Sequence, residues 1–383
     1  MTTATSRPSH TSTGDSPRDS TMRAIVQRAY GSAGTLSLQT VACPAISDTE
    51  VLVEVHAAGV DRGTWHLMTG MPYLVRLAGF GLTKPNRLNP GFDVAGRVAA
   101  VGSAVTRFAV GDEVFGIARA SYAEYAAASQ DKLVLKPRQA TFEQAAVSTV
   151  SGITALQALM DVGKLRPGQS VLVIGASGGV GTFAVQIAKV LGAHVTGVAS
   201  TAKLDMVRAL GAEHVIDYTR DDFATGDSRY DLIIDTGGRN SLGRLRRVLS
   251  ERGTLVIVGG EGGDRLTGGI GLQLRAKLLS PFVKQRLTTF ISKEQRSSIE
   301  KLAELIASGE VVPAIGQRFP LEDTAQAIRR LEAGQASGKS VDRCAGPVSG
   351  SRALMMARPV QGPERPGFRA PRAAPGVGSE AIT

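Results

Sequence analysis

The sequence predicts an α/β protein, with a doubly wound parallel sheet in the second half of the chain and a domain rich in β-strands before it. Two observations indicate this. Between Ser170 and Val258, short apolar runs alternate with segments of helical period, which is typical of parallel strands covered by helices. Between Arg23 and Ala145, β-branched runs are instead bounded by glycines, the pattern of a compact β domain. A chain of 383 residues has room for about two such domains.

The individual elements follow from the period of their apolar residues. Strands of the parallel sheet are expected at 170–174, 194–198, 213–216, 230–235 and 254–258, with helices at 180–190, 203–210 and 242–249. Further helices are expected at 142–159, 299–306 and 324–331, and 278–291 is expected to pair at a sheet edge. In the β domain, strands are predicted at 22–26, 51–57, 96–102, 121–127 and 132–135. The irregular segment 59–90 is long for a simple connection, which predicts a functional loop.

A glycine-rich turn joins the first parallel strand to its helix, and three of its glycines have distinct expected roles. Gly175 allows the tight turn, Gly178 lets the backbone approach an anion closely, and Gly181 lets the helix pack against the strand. The N–H groups at the start of the helix would then face a pyrophosphate. A glycine pattern alone is a weak signal, but the strand before it and the helix after it favour a dinucleotide site over a structural turn.

The composition is that of an ordinary globular protein, with 43% hydrophobic and 20% charged residues. No apolar run approaches the roughly 20 residues of a membrane span, so no membrane association is expected. The formal net charge of +10 is scattered rather than clustered, which argues against a nucleic-acid partner. Two distant cysteines, Cys43 and Cys344, indicate no disulfide framework, so a cytoplasmic location is expected.

The two ends of the chain differ from the rest. Residues 1–21 are rich in Ser and Thr without an apolar period, which predicts a disordered leader and makes Met22 a candidate start. Residues 346–383 are rich in Arg, Pro, Gly and Ala and predict a disordered tail. An alternative for this tail is that a native ending has been replaced, for instance through a reading-frame slip.

Several motifs occur together between residues 22 and 341. They are GVD (59–61), PGFDVAG (90–96), VGS (101–103), VGDEV (110–114), SGITA (151–155), the glycine turn and GAEHVIDY (211–218). With them the sequence resembles the medium-chain dehydrogenase/reductase superfamily, and more narrowly its zinc-free branch of quinone oxidoreductases and enone reductases. The resemblance implies a GroES-like domain formed by residues 22–145 and 293–345, a Rossmann domain at 146–292, and an active site in the cleft between them. It also implies a homodimer.

The residues themselves argue against a metal site. A catalytic zinc needs three ligands from Cys, His and carboxylate side chains. Zinc-dependent relatives place a Cys soon after a Gly-Val pair in the segment that corresponds to 59–90, which we call the substrate loop, and a His-Glu pair at positions 92–93. In this chain Asp61 follows the Gly-Val pair, and no Cys lies in the substrate loop. The four-cysteine structural lobe is also absent. His56, His66 and Asp93 could in principle form a site, but ordinary roles for each are favoured, so no metal is predicted.

The end of the second parallel strand predicts which cofactor is bound. NAD enzymes place Asp or Glu there to bind the ribose hydroxyls, whereas this chain has no carboxylate before Asp205. Ser200 and Lys203 can instead hold a 2′-phosphate, and the quinone reductases that the chain resembles use Ser, Lys and a later Tyr, which Tyr218 matches. NADPH is therefore the predicted cofactor. The predicted cofactor-binding residues are Thr154, Gly175, Ser177, Gly178, Gly179, Val180, Gly181, Ser200, Lys203, Tyr218, Asp235, Val258, Gly259 and Gly260.

The loop 59–90 supplies the candidate catalytic residues, which are Asp61, Thr64, His66 and Tyr73. The quinone reductases that the chain resembles carry Asn, Asp and Tyr at the first three positions, so the proton donor stays open. His66 could donate a proton near neutral pH and Tyr73 could polarise a carbonyl, but a loop-packing histidine and a half-buried tyrosine are equally good interpretations. An apolar wall for a flat acceptor is expected from Trp65, Phe80, Phe290 and Ile291.

Two classes of function stay open. The first is an NADPH-dependent, zinc-independent oxidoreductase that transfers hydride to a quinone or an α,β-unsaturated carbonyl. The second is a cofactor-binding protein of low turnover with a structural or RNA-binding role, and alcohol or aldehyde dehydrogenase-type activity is a further alternative. The glycine turn and the phosphate-binding residues favour the first, although the second class could retain both.

Overall fold

The computed structural model describes residues 21–73, 76–260, 268–335 and 338–344. The predicted tail and the predicted leader apart from Thr21 lie outside the described residues. So do residues 261–267, which belong to a glycine-rich segment (259–271) that the sequence predicts to be a ligand-binding loop at the end of the fifth parallel strand. The β-strands are β1 (Thr21–Gln27), β2 (Leu36–Ala42), β3 (Glu50–Val60), β4 (Asp93–Val101), β5 (Glu113–Ile117), β6 (Tyr125–Ser129), β7 (Leu133–Leu135), β8 (Ser170–Ile174), β9 (His194–Ala199), β10 (His214–Asp217), β11 (Tyr230–Asp235), β12 (Leu249–Ile257), β13 (Arg286–Thr289), β14 (Ile315–Pro320) and β15 (Lys339–Arg343). The α-helices are α1 (Arg62–Thr69), α2 (Phe142–Ala146), α3 (Thr149–Leu156), α4 (Gly179–Val190), α5 (Leu204–Ala209), α6 (Leu242–Arg247), α7 (Ile270–Leu279), α8 (Arg296–Ala307) and α9 (Thr324–Glu332).

The second half of the chain forms a parallel sheet with the strand order β10-β9-β8-β11-β12-β13. All neighbouring strands in it are parallel. The first of these strands in the chain, β8, lies in the middle of the sheet, and the strands that follow it build outward first on one side and then on the other. A crevice therefore forms at the carboxyl end of β8, where such sheets bind ligands. The predicted doubly wound parallel sheet is confirmed.

The strand-rich part of the chain forms a mixed sheet with the order β14-β15-β3-β4-β5-β7, and β6 also pairs with β3. The last described strand, β15, pairs antiparallel with β3 and so returns the chain to this first sheet. A separate antiparallel pair is formed by β1 and β2. Strands from both ends of the described chain thus complete one GroES-like fold. The predicted domain boundaries, between residues 145 and 146 and between residues 292 and 293, stay predictions.

Several elements differ from the sequence prediction. The predicted irregular segment 59–90 contains α1, the strand predicted at 121–127 is β6 (Tyr125–Ser129), and β2, β14 and β15 were not predicted. The helix expected at 142–159 is two helices, because α2 ends at Ala146 and α3 starts anew where the Val150 N–H donates to the Asp93 carboxylate at 2.8 Å. The fifth parallel strand begins earlier than expected because Leu249 already pairs with Tyr230 of β11, and the register then shifts before Thr254 pairs with Leu232. The predicted edge pairing of 278–291 occurs only at β13, which pairs with β12, while α7 extends to Leu279.

The two sheets share one apolar core. A single cluster of buried side chains includes Ala57 and Phe115 from the mixed sheet together with Val173 and Phe183 from β8 and α4. Helices α2 and α3 lie between the sheets, since α2 packs on β3 and β4 while α3 packs on α4. The glycine turn and the substrate loop are therefore held on elements that pack against each other.

Asp342 is a buried carboxyl group in β15. Neither of its oxygens has a hydrogen bond of full geometry from a described residue, although the Thr324 side chain is near enough to oppose part of the rise in its pKa. Burial raises its pKa well above the ordinary value of a carboxyl group. A group whose pKa is raised in the folded state favours folding when protonated. The contribution of Asp342 to the free energy of unfolding is therefore lost progressively as the pH rises above the pKa that this carboxyl group has in the unfolded chain. Asp342 should accordingly make the protein less stable at neutral pH than at mildly acidic pH.

The variant Asp342→Asn should gain stability relative to the wild type as the pH rises from 5 to 8, because an amide does not ionise. Thermal unfolding followed at several pH values measures this, with roughly 2–4 °C in Tm expected for each kcal/mol gained. Asp205→Asn is the control, since the side chain of Asp205 is 99% exposed. A difference between Asp342→Asn and wild type that does not change with pH would contradict the assignment.

Within the described ranges no helix is long and apolar enough to span a membrane.

Candidate functional site

The glycine turn has the geometry that the sequence predicts. Gly175 has φ of +79°, a left-handed conformation that favours glycine. The Gly178 N–H donates back to the Gly175 carbonyl at 3.0 Å, which closes the turn. A Cβ at Gly181 would lie 2.1 Å from the Gly175 oxygen, so only glycine lets α4 approach β8 this closely.

The space in front of the turn fits a pyrophosphate. Gly178 is the N-cap of α4, and no described side chain caps this helix end. A Cβ at Gly178 would meet only the Gly175 oxygen, at 3.3 Å, among the described residues outside its immediate neighbours. The first N–H groups of a 12-residue helix therefore face a space that no described side chain fills. That arrangement binds anions.

Not every residue of the turn faces this space. A Cβ at Gly179 would lie 3.0 Å from the Ser151 hydroxyl oxygen and 3.3 Å from Lys339 Cγ, so Gly179 faces protein. The Ser177 carbonyl accepts a hydrogen bond from the Gly338 N–H at 3.0 Å. Val180 is half-buried and packs against the shared core. The direct contribution of the turn to an anion therefore comes from its backbone at Gly178 and the start of α4.

The predicted 2′-phosphate residues lie together at the carboxyl ends of β9 and β10. Ser200 follows β9 and precedes a 3₁₀ turn that ends at Lys203. The N–H of Tyr218 donates to the Ala199 carbonyl at 3.1 Å, and the Tyr218 side chain is 62% exposed beside it. Partial burial lowers the pKa of Lys203. Ser200 and Lys203 are thus brought by the fold to the same sheet edge as Tyr218.

Asp217, which the sequence analysis did not single out, organises this edge. Its carboxylate accepts hydrogen bonds from the Thr201 hydroxyl and from both the N–H (3.0 Å) and the hydroxyl (2.7 Å) of Thr219. The hydrogen bond from Thr201 is the main reason that the pKa of Asp217 is lowered. These bonds hold Thr201, in the segment that carries Ser200 and Lys203, against the end of β10. The only sequence signal for this role is the position of Asp217 at the end of a strand.

The loops after β11 and β12 close the crevice from the other side. The buried Asp235 carboxylate accepts from the N–H groups of Gly237 (3.2 Å) and Gly238 (3.1 Å). The N–H groups of Val258 and Gly259 donate to the Asp235 carbonyl at 2.9 and 3.3 Å. Burial raises the pKa of this carboxyl group, and the two glycine N–H groups oppose the rise. In this geometry Asp235 shapes the loop backbone.

Close backbone packing explains the glycines of these two loops. A Cβ at Gly259 would lie 1.9 Å from the Thr236 carbonyl oxygen, and Gly260 packs against Gly269. The predicted residue Thr154 donates its hydroxyl to the Val150 carbonyl at 2.6 Å within its own helix. The cofactor-binding roles of Thr154, Gly259 and Gly260 stay predictions.

The start of the substrate loop is a capped helix. Asp61 is the N-cap of α1, and its two oxygens accept from the Thr64 N–H (2.8 Å) and the Thr64 hydroxyl (2.9 Å). Both residues are buried. Asp61 and Thr64 are therefore engaged with each other, and a catalytic role for either stays a prediction.

His66 and Tyr73 lie further along the same loop. His66 Nδ1 is 3.0 Å from the Met71 carbonyl, so in the neutral ring this nitrogen is assigned the proton. The Tyr73 side chain is 41% exposed, and the Arg76 guanidinium lies between the rings of Tyr73 (4.7 Å) and Tyr30 (4.4 Å). Arg76 therefore fixes the middle of the loop, a contact that sequence reasoning missed.

The apolar wall differs from the one predicted. Trp65 is not part of it, because its indole N–H donates to Glu332 in α9 at 3.0 Å and its ring packs against the core of the mixed sheet. Ile291 is 92% exposed, and Phe290 packs against the shared core. Phe80, the remaining predicted wall residue, does line a pocket of about 140 Å³. This pocket is formed by the loop and the residues just before β4, and its lining includes the apolar Leu67, Met68, Phe80 and Phe92 and the polar Gln27, Asn86, Arg87 and Asn89.

The substrate loop meets the nucleotide sheet directly. A Cβ at Gly268, in the loop after β12, would lie 3.1 Å from Pro72 Cγ. The crevice at the carboxyl end of the parallel strands is therefore bordered by the loop that lines the pocket. A larger surface depression of about 390 Å³, lined by Arg246, Arg247, Glu251, Lys284 and Gln285, lies at the opposite, amino ends of β12 and β13 and is not part of this site.

The three residues considered for a metal have other partners. The ring of His56 stacks on Phe142 at 4.3 Å, His66 faces a backbone carbonyl, and Asp93 forms an ion pair with Lys339 at 2.6 Å. The part of the chain that the structure describes holds no group of three or more His, Cys, Asp or Glu arranged for a metal ion.

The fold and the site define a two-domain oxidoreductase that uses a nicotinamide dinucleotide. The chain belongs to the medium-chain dehydrogenase/reductase superfamily, in its quinone oxidoreductase-like branch. Residues 47–138 match the family model of the alcohol dehydrogenase GroES-like domain, and residues 210–341 match that of the zinc-binding dehydrogenases.

Individual relatives agree with this placement. The chain is 32% identical over 338 residues to 2-methylene-furan-3-one reductase of Solanum lycopersicum, covering 84% of this chain and 79% of the relative. It is also 32% identical over 345 residues to the chloroplastic NADPH-dependent alkenal/one oxidoreductase of Arabidopsis thaliana, covering 86% and 81%. The solved quinone oxidoreductase of Coxiella burnetii superposes with a TM-score of 0.75 at 28% identity, covering 85% of this chain and 100% of that one.

Proposed function

We propose that the protein is an NADPH-dependent reductase that transfers hydride to a quinone or an α,β-unsaturated carbonyl compound without a metal. The observation that carries this is the open space in front of Gly178 and the uncapped start of α4, bordered by a loop that lines a partly apolar pocket. The relatives named above for quinone, alkenal/one and furanone reduction support the same reaction class.

The chain's own residues would bind and orient the reactants. When bound, NADPH supplies the hydride. The start of α4 holds the pyrophosphate, and Ser200, Lys203 and Tyr218 hold the 2′-phosphate at the neighbouring strand ends. Phe80 and Phe92 line a pocket that can exclude water from a flat acceptor. His66 and Tyr73 are the proposed groups for hydrogen bonding or proton donation to the acceptor oxygen.

A conjugated acceptor suits this site better than a simple ketone. With no Lewis acid supplied by a metal in the proposed reaction, the developing negative charge would be stabilised by hydrogen bonds alone. A quinone or enone spreads that charge over more atoms, so weaker polarisation is sufficient. The site therefore favours reduction at an electron-poor carbon.

Isotopic labelling tests the reaction class. Deuterium from the 4-position of labelled NADPH should appear at the β-carbon of an enone, and the second hydrogen should come from solvent. Mass spectrometry of the product locates the label. Zinc-independent oxidation of ethanol or propan-2-ol with no turnover of any quinone or enone would show that the reaction class is wrong. Tight NADPH binding without turnover of any of these compounds would favour the structural or RNA-binding alternative.

Metal independence is part of this proposal. Activity should survive a strong chelator, and the purified protein should carry no stoichiometric zinc, because His56, His66 and Asp93 are each engaged separately. Elemental analysis together with activity before and after chelation measures both. One equivalent of zinc whose removal abolishes activity would overturn the prediction.

We also propose a cytoplasmic homodimer. Neither cysteine is in a disulfide, as expected in a reducing compartment.

An exposed apolar row supports the dimer. It consists of Ile270, Leu274 and Leu278, at intervals of four residues along α7, next to β13 at the edge of the described parallel sheet. A second copy related by a two-fold axis would cover this row. Sedimentation velocity measures the mass, and a monomer at micromolar concentration would contradict the dimer.

A further inference from the structure

A buried ion pair lies between the two halves of the site. Lys339 Nζ is 2.6 Å from Asp93 Oδ2, and the two side chains are 3% and 0% exposed. The other oxygen of Asp93 accepts from the Val150 N–H at the start of α3. Burial raises the pKa of Asp93 to about 6, and the positive charge of Lys339 opposes that rise. Because both charges lose their hydration, such a pair adds little to stability compared with well-packed apolar residues. Stability alone therefore does not account for the pair.

On one side the pair contacts the glycine turn. The Gly338 N–H donates to the Ser177 carbonyl at 3.0 Å. The aliphatic part of Lys339 lies along the first turn of α4, since a Cβ at Gly179 would be 3.3 Å from Lys339 Cγ. The backbone and the side chain at 338–339 therefore both support the segment whose N–H groups face the pyrophosphate space.

On the other side the pair contacts the start of the substrate loop. Asp93 pairs with Gly59 across β3 and β4, and a Cβ at Gly59 would lie 3.0 Å from Asp93 Oδ2. Gly59 precedes the α1 cap, Asp61, by two residues. Asp61 is also close enough to raise the pKa of Asp93. One lysine therefore connects the glycine turn, β4 and the strand that leads into the substrate loop.

We propose that Lys339 and Asp93 are positioning residues that hold the glycine turn in register with the substrate loop and so set the affinity for the dinucleotide. The inference rests on the proposed function, because it assumes that the turn binds NADPH. It goes further in assigning the pair an effect on NADPH and NADH alike. A residue that supports the pyrophosphate segment acts on the part that both cofactors share, whereas Lys203 is proposed to bind the 2′-phosphate, which NADH lacks.

The test compares Lys339→Met with Lys203→Ala. Dissociation constants for NADPH and NADH are measured by fluorescence titration, with Tm recorded for every variant. Lys339→Met should weaken both cofactors by the same factor, about 3- to 30-fold, and Lys339→Arg should restore most of the affinity. Lys203→Ala should weaken NADPH alone. Lys284→Met, which removes a lysine from an exposed ion pair, is the control and should change neither constant.

Each outcome decides the inference. If Lys339→Met lowers Tm but leaves both constants unchanged, the pair is merely structural and the inference is wrong. If its effect is confined to NADPH, Lys339 belongs to the 2′-phosphate subsite and the inference is also wrong. Should Lys339→Met not fold, the double variant Asp93→Asn/Lys339→Met removes both charges and carries the same expectation. A wild-type protein that bound neither cofactor would overturn the proposed function itself, and the inference with it.

Discussion

Gly178→Val should abolish NADPH binding while the protein stays folded. Among the described residues beyond its chain neighbours, a Cβ at this position meets only the Gly175 oxygen, at 3.3 Å, so the side chain would occupy the space that the pyrophosphate needs. The N-cap backbone, with φ of −85° and ψ of 176°, is extended and is open to valine. Several hydrogen bonds to a charged group, each about 1.5–3 kcal/mol, would be lost, which corresponds to about 100-fold or more in Kd.

Two further glycine variants control this experiment. Gly243→Val in α6 adds the same side chain in open space, since a Cβ there meets no atom within 4 Å, and should leave NADPH binding unchanged. Gly181→Val should impair folding itself, because its Cβ would lie 2.1 Å from the Gly175 oxygen. Fluorescence titration and thermal unfolding together separate the three cases. Unaltered NADPH affinity in folded Gly178→Val would mean that the turn is only structural.

Lys203→Ala should weaken NADPH by about 1–3 kcal/mol, or roughly 5- to 150-fold, and leave NADH nearly unchanged. The reason is that Lys203 ends the 3₁₀ turn after β9, next to Ser200, at the edge where a 2′-phosphate would lie. Partial burial lowers the pKa of the amine, which indicates that its charge is less hydrated than that of a surface lysine. Titration with both cofactors measures the selectivity directly.

The control for Lys203→Ala is Lys301→Ala, which removes an exposed lysine that pairs with Glu304 in α8. It should change the affinity for neither cofactor. Tyr218→Phe offers a second test of the same subsite and should also act on NADPH alone, since its side chain is exposed beside Ser200. Equal losses for NADPH and NADH in Lys203→Ala would refute the assignment of the 2′-phosphate subsite.

Local sequence was sufficient to predict those elements of the structure that depend on interactions between residues close together in the chain. The tight turn at Gly175 and the close packing at Gly181 follow from the spacing of glycines between a strand and a helix. The strands β8, β9 and β11 follow from largely apolar runs, because both faces of these strands are buried. By contrast, β2 is mostly exposed and has no apolar alternation to predict it.

The sequence by itself predicted the fold class, from the alternation of strands and helices, and the glycine turn, Ser200 and Lys203, from neighbours within one turn. Tyr218 came only from the family resemblance. The tertiary structure alone decided the contacts between residues far apart in the chain. It placed Lys339 on Asp93, 246 residues away, and turned Trp65 toward Glu332 rather than the pocket. The cap of α1 by Asp61 is a local contact, three residues from Thr64, that the sequence analysis did not recognise. The pairing of β15 with β3 and the packing of α9 set the first two contacts, and neither leaves a signal in the local pattern of residues.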